Sequence, residues 1–189
     1  MDALFIVQYF RYVNGRTQLA AKNGSEYNFI NIYCQYELEQ LALGTWKRSE
    51  VEDAWRHFVE VGDSGDWSKW ADLHTEDGLW VEHHLGIFQG REAIREAIVR
   101  VMQPVVMMQF PVAWHAIDEG RVIYYPWQVF PDPKGGEEIY RFGCVTILDY
   151  AGNGLWSRQE DLYNPNEADE VVRRWLAAGG RFAQTPSEH

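Results

Sequence analysis

The sequence is short of cysteine, of cations and of long apolar runs, and each shortage excludes a class of protein. Two cysteines, Cys34 and Cys144, occur in 189 residues. Two thiols that far apart make neither a disulfide framework nor a zinc-ligand set. Cys144 lies in an apolar run, as a small core residue does. The scarcity of thiols fits a reducing, cytoplasmic setting. Lysine and arginine number 17 against 28 aspartates and glutamates, a formal net charge of −11. A phosphate backbone repels such a chain and no basic stripe offsets the repulsion, so nucleic acid is excluded as a partner. An anionic membrane surface is disfavoured for the same reason. No run of about 18 apolar residues exists, so nothing in the sequence reads as a membrane span. Met1 to Val13 is apolar and aromatic, yet it lacks a basic stretch and a small-residue cleavage site, and so does not read as a signal peptide.

Aromatic residues are abundant: nine Trp, ten Tyr and nine Phe. That exceeds what simple packing needs. Aromatic rings supply apolar area, and Trp and Tyr add one polar handle each, a mixture suited to the wall of a pocket.

Residues 1–48 read as an N-terminal extension, rich in Asn, Gln, Tyr and Phe. Asn14-Gly15 and Asn23-Gly24-Ser25 are turn signals there, and Tyr36 to Leu43 fits a short helix. From Ser49 the pattern sharpens. Ser49 and Glu52 form a capping-box signature, and Val51, Ala54, Trp55, Phe58 and Val59 follow helical spacing. Asp66 is placed to cap a second, short helix with Trp67, Trp70, Ala71 and His74 on one face. Gly78 to His84 reads as a strand, followed by a loop through Gly86. Gly90 opens a third helix that buries Ile94, Ala97, Ile98 and Val101 and ends at Pro104. Four strands follow, Val112–Asp118, Arg121–Phe130, Glu138–Tyr150 and Gly154–Tyr163, joined by short turns and so forming an antiparallel meander. A last helix from Asn166 buries Val171, Val172, Trp175 and Leu176 and stops at Gly179-Gly180. Residues 179–189 read as a flexible tail. Helices grouped ahead of a meander imply an α+β layer architecture with a concave side, the default place for a ligand.

Several of these segments resemble one family. Gly65-Asp66-Trp67, Asp77-Gly78-Leu79-Trp80-Val81-Glu82 and Gly90-Arg91-Glu92-Ala93-Ile94-Arg95 are similar to the first half of NTF2-like proteins, in particular the SnoaL-like group. Gly154-Leu155-Trp156-Ser157-Arg158-Gln159-Glu160-Asp161-Leu162-Tyr163 looks like that group's closing strand. The resemblance covers residues 49–178. It implies an α+β cone whose helices pack on a strongly curved, mostly antiparallel sheet around a pocket. It also implies a homodimer through the outer sheet face. The superfamily holds isomerases, epoxide hydrolases, dehydratases, polyketide cyclases and non-enzymatic transport factors, so fold alone does not name a reaction. Against the ketosteroid isomerase type, the proton-shuttling carboxylate falls on Glu82, while the oxyanion-binding Tyr falls on Phe58 and its Asp partner near Thr146. Against the limonene epoxide hydrolase type, Asp161 matches the last-strand carboxylate, while the Arg and Asp of the middle strand fall near Pro126 and Gln128.

Strand alternation puts Trp80, Glu82 and His84 on one face and His83 on the other. Beside an indole and away from solvent, Glu82 is suited to shuttle protons. His84 or Asp161 is the expected partner acid, and His115, in a short apolar strand, is a further candidate acid or base. Gln159, Asp161 and Tyr163 share a face. Phe58, Trp80, Tyr125, Trp127, Phe142 and Tyr163 are the expected pocket wall, with Tyr125 and Trp127 first. A metal set of Glu82, His83, His84 and His115 is disfavoured, because adjacent strand histidines face opposite ways. The expectation is a cofactor-free acid–base enzyme acting on an apolar, ring-containing small molecule. The rival reading is a non-catalytic binding or protein-interaction module.

Overall fold

The computed structural model describes residues 11–13, 16–18 and 45–183. By its internal contacts the chain divides into two units, 1–41 and 42–189. In the first, β1 (Arg11–Val13) and β2 (Arg16–Gln18) pair antiparallel. The helix expected over Tyr36 to Leu43, the two Asn-Gly turn signals and the last six residues of the tail lie outside the described residues.

The second unit begins with α1 (Arg48–Asp63), which buries Val51, Ala54, Trp55 and Phe58 along one stripe. Its start differs from the capping-box reading. The helix begins two residues earlier, behind Lys47, with no side-chain cap, so Ser49 already lies inside the first turn. In α2 (Trp67–Asp72), Asp66 does cap, accepting from the Lys69 backbone N–H at 3.1 Å. His74 is not on that helix. It opens β3 (His74–Glu82), four residues ahead of the expected strand start. The register breaks between His74 and Leu79, and the exposed Glu76 and Asp77 interrupt the apolar alternation there. Gly78 lies inside the break, where a Cβ would meet the Thr75 carbonyl at 3.0 Å.

β3 ends at Glu82, two residues short of the expected His84, and the expected loop through Gly86 runs into an unexpected strand, β4 (Gly86–Gln89), too short and too exposed to register as alternation. Next come α3 (Arg91–Met102) and a single 3₁₀ turn over Gln103–Val105. Met102, rather than Val101, completes the buried stripe of α3. The meander is β5 (Val112–Asp118), β6 (Arg121–Phe130), β7 (Tyr140–Gly152) and β8 (Leu155–Tyr163). Helix α4 (Pro165–Ala177) closes the unit, capped by Asn164. It buries Val171 and Trp175, but Leu176 is 41% exposed, because the helix rests on the sheet by a narrower face than the spacing implied.

The six-stranded sheet runs β4-β3-β8-β7-β6-β5. Every pairing is antiparallel except β3 with β8, which is parallel. Two apolar clusters sit on its inner face. One joins α1, α2 and α3 to the sheet around Trp55, Phe58, Trp70, Trp80 and Trp156. The other seats α4 on β6 and β7 around Phe130, Tyr140, Phe142, Val171 and Trp175. The expected tail is tied down as far as it is described. The Gly180 N–H donates to the Trp175 carbonyl and the Ala183 N–H to the Pro104 carbonyl, with Phe182 against the Trp175 ring.

The outer face carries an aromatic ladder. Trp114 stacks on Tyr125 with ring centroids 5.8 Å apart, Tyr125 meets Trp127 edge-on, and the Arg141 guanidinium lies 4.1 Å over the Trp127 ring. Gly143 makes room for it, since a Cβ there would overlap the Tyr125 hydroxyl. Gly143→Ala should therefore destabilise the protein by about 1–3 kcal/mol. Adding Tyr125→Ala should restore part of the loss, a coupling that denaturant unfolding of the three variants will read.

Candidate active site

One cross-strand row builds the site. Glu82 on β3 pairs with Asp161 on β8, Asp161 with Thr146 on β7, Thr146 with Tyr124 on β6, and Tyr124 with His115 on β5. Neighbouring strands lie about 4.8 Å apart, and residues in one row point to the same face. Two carboxylates are thus set side by side on the inner face, with a hydroxyl and a phenol continuing the row.

Between the two apolar clusters is a cavity of about 360 Å³. Glu82, Asp161, Thr146 and Tyr124 line it, with Gln159, Cys144, Trp80, Phe142 and Tyr163 beside them and Phe58, Trp70 and Phe110 across from the sheet. Asp63 and Asp169, both exposed, also border it and mark its opening.

The two carboxylates are held differently. Glu82 is 3% exposed. Its Oε2 accepts the His84 backbone N–H at 3.0 Å and the Leu85 backbone N–H, both from the turn after β3. Its Oε1 is buried with no hydrogen-bond partner. Asp161 has donors on both oxygens. Thr146 Oγ1 donates to Oδ1 at 2.6 Å, and Trp80 Nε1 and Gln159 Nε2 donate to Oδ2 at 2.7 and 2.6 Å. Burial raises the Asp161 pKa above the ordinary aspartate value. The three donors oppose the rise, and the charge of Glu82 adds to it. Burial also holds the Tyr124 and Tyr163 phenols well above their usual range, with Asp161 adding to the first and Glu82 to the second. Both are neutral hydroxyls at pH 7. The Cys144 thiol is likewise pushed up by burial, so it is no thiolate nucleophile.

Of the expected site residues, Glu82, Asp161, Phe58, Trp80, Phe142 and Tyr163 border the cavity, and four do not. His84 lies past the end of β3, exposed, with its Nε2 donating to the Tyr163 carbonyl at 3.2 Å. The strand ends at Glu82, so alternation no longer aims the next side chains. His115 continues the row from Tyr124 but is exposed, stacks on Trp55 with ring centroids 3.9 Å apart, and does not border the cavity. Tyr125 and Trp127 belong to the outer ladder. On β6 the inward positions are Tyr124, Pro126 and Gln128. Period-two alternation defines two faces without saying which is inner, and the larger aromatics proved to be outside. Gly143, the cross-strand partner of Trp127, was the available signal, because a glycine opposite aromatics marks where rings lie flat. His83 pairs outward with Glu160 at 2.8 Å.

Sequence reasoning missed the hydrogen-bonding frame of Thr146 and Gln159, and it missed His74. His74 is wholly buried among Phe58 and Trp70, and neither ring nitrogen has a well-aligned partner. Burial pushes its pKa down to about 4, although the nearby Gln159 side chain and the Ala71 and Trp70 backbone oppose the shift.

Comparisons with known proteins agree with this fold. The arrangement is an NTF2-like fold. The profile of the SnoaL-like domain family matches residues 55–159, and the chain belongs to that family. No curated protein sequence matches the chain. TerC co-crystallised with polyporic acid is 16% identical, with a TM-score of 0.55 over 66% of this chain and 98% of that one. An NTF2-like protein of unknown function from Burkholderia pseudomallei is 15% identical, with a TM-score of 0.54 over 65% and 97%. An epoxide hydrolase from M. tuberculosis, of the limonene epoxide hydrolase type, is 14% identical, with a TM-score of 0.54 over 69% and 94%.

His74 makes stability depend on pH. The unfolded chain takes up a proton near 6.5 and the folded chain only near 4, so the unfolded state binds more protons between those values. Stability should fall by about 3 kcal/mol as pH drops through that window. Urea unfolding at pH 7, 5.5 and 4 should show a shallower fall in His74→Gln than in wild type.

Proposed function

We propose that the protein is a cofactor-free acid–base enzyme acting on an apolar small molecule in the cavity. The observation that carries this reading is Glu82 itself, a buried carboxylate on the cavity wall, paired across strands with Asp161 and with its Oε1 lacking a well-aligned donor. Glu82 is the proton acceptor. Its Oε2 is anchored by two backbone N–H groups, so the carboxylate is oriented without being used up. Asp161, whose pKa burial raises, is the partner carboxyl for the second proton transfer. Trp80, Thr146 and Gln159 fix its position, while the neutral Tyr124 and Tyr163 hydroxyls are donors for oxygen atoms of a substrate. The epoxide hydrolase and TerC structures share the fold and support a small-molecule site.

The identity of the reaction lies within proton transfer, dehydration, cyclisation or epoxide opening. By the resemblance, the oxyanion pair of the isomerase type falls on Phe58 and near Thr146, and the Arg and Asp of the epoxide hydrolase type fall near Pro126 and Gln128. These replacements favour one rival, a binding module without catalysis. A base probe separates the two readings. In 5-nitrobenzisoxazole, removal of the ring C–H proton sends its electron pair into a forming nitrile as the N–O bond breaks and phenolate leaves. The carboxylate keeps the proton. Wild type should open the ring at least about 10²-fold faster than a folded Glu82→Gln variant. Equal rates would leave the binding module.

A homodimer through the outer face belongs to the same reading. Trp114 is 50% exposed at the head of the aromatic ladder, as an interface anchor is before it meets its partner. Sedimentation should give a dimer for wild type and a monomer for Trp114→Glu. A monomeric wild type at micromolar concentration would rule the dimer out.

A further inference from the structure

We propose that the ligand of this cavity is an apolar molecule carrying one protonated amine, with the cation held by Glu82 and Asp161 and the hydrocarbon among the aromatic rings. The inference deepens the reading of the cavity as a small-molecule site and rests on it. Its first support is the charge of the wall. Asp63, Glu82, Asp161 and Asp169 border the cavity, and among the described residues no lysine, arginine or histidine does. Two neighbouring carboxylates in an apolar enclosure call for a positive charge, and the wall supplies none.

The second support is independent of charge. Glu82 Oε1 and Gln159 Oε1 are buried acceptors without a well-aligned donor, the Tyr163 hydroxyl lying near Glu82 and the His74 ring near Gln159, on residues 3% and 4% exposed that both border the cavity. The site therefore presents acceptors in want of N–H or O–H groups. A carboxylate or phosphate ligand would bring more acceptors and more negative charge. An ammonium brings both donors and the missing cation. The third support is the aromatic enclosure, since the faces of Trp and Tyr attract a desolvated cation. Trp80 combines the two roles, as its indole N–H holds Asp161 while its ring forms wall. The exposed Asp63 and Asp169 at the opening add a field that draws cations inward.

Three shape-matched probes test this by calorimetry on the full chain at pH 7.5: 1-methyl-4-phenylpiperidine as the cation, 4-phenylcyclohexanol as the neutral donor and 4-phenylcyclohexanecarboxylate as the anion. The amine should bind at least tenfold more tightly than the alcohol, and the carboxylate should not bind. Glu82→Gln should remove most of the amine's advantage with little effect on the alcohol. The surface variants Asp63→Asn and Asp169→Asn, which leave the interior untouched, should weaken the amine alone at low ionic strength. An amine that binds no better than the alcohol, a carboxylate that binds best, or binding by none of the three overturns the inference. Amine preference without Glu82-dependent opening of the benzisoxazole overturns the enzyme reading and leaves a cation-binding pocket. Ring opening without amine preference overturns this inference alone.

Discussion

The parallel pairing of β3 with β8 positions every group at the candidate site. It joins a strand from the helical half of the chain to the last strand of the meander, and its register sets Glu82 opposite Asp161. Antiparallel pairings then extend the row to Thr146 and Tyr124. A slip of one residue would turn Glu82 toward the outer face, where His83, Arg158 and Glu160 already form an ion-paired surface. The bulge around Gly78 and the burial of Trp80 and Trp156 oppose such a slip.

The cavity follows from how the helices rest on the sheet. The α1–α3 group covers one end of the inner face and α4 the other, each through its own aromatic cluster. The space between them is walled by rings and floored by the Glu82–Asp161 row. The acid excess of the whole sequence reaches into this space, whereas no lysine, arginine or histidine among the described residues borders it. Arg121 and Arg158 neutralise the buried Asp149 from outside, leaving Asp161 to neutral donors alone.

Much of the fold was legible in the residues. The limits of β5 and β6 follow from turn signals on both sides, and the helices follow from their apolar stripes. The resemblance set functional positions of relatives on Phe58, Glu82 and Asp161 and near Pro126, Gln128 and Thr146, and all six residues border the cavity. Three kinds of information were not legible. Alternation has no sign, so Tyr125 and Trp127 were placed inside when Tyr124 is. Strand ends are not sharp in sequence, so His84 was carried past the point where β3 stops. Burial that arises from distant packing leaves no local trace, which is why His74 read as a helix residue and Thr146 was noticed only as a replacement.

The buried Glu82 and the half-buried Asp161 are neighbouring carboxylates whose charges feel each other. A ¹³C NMR titration of the Asp161 side-chain carboxyl, in wild type and in Glu82→Gln, tests this coupling directly. Asp161 should titrate above the ordinary aspartate value of 3.8, and its pKa should fall when Glu82 is made neutral. An Asp161 that titrates at or below the ordinary value, unmoved by Glu82→Gln, would contradict it.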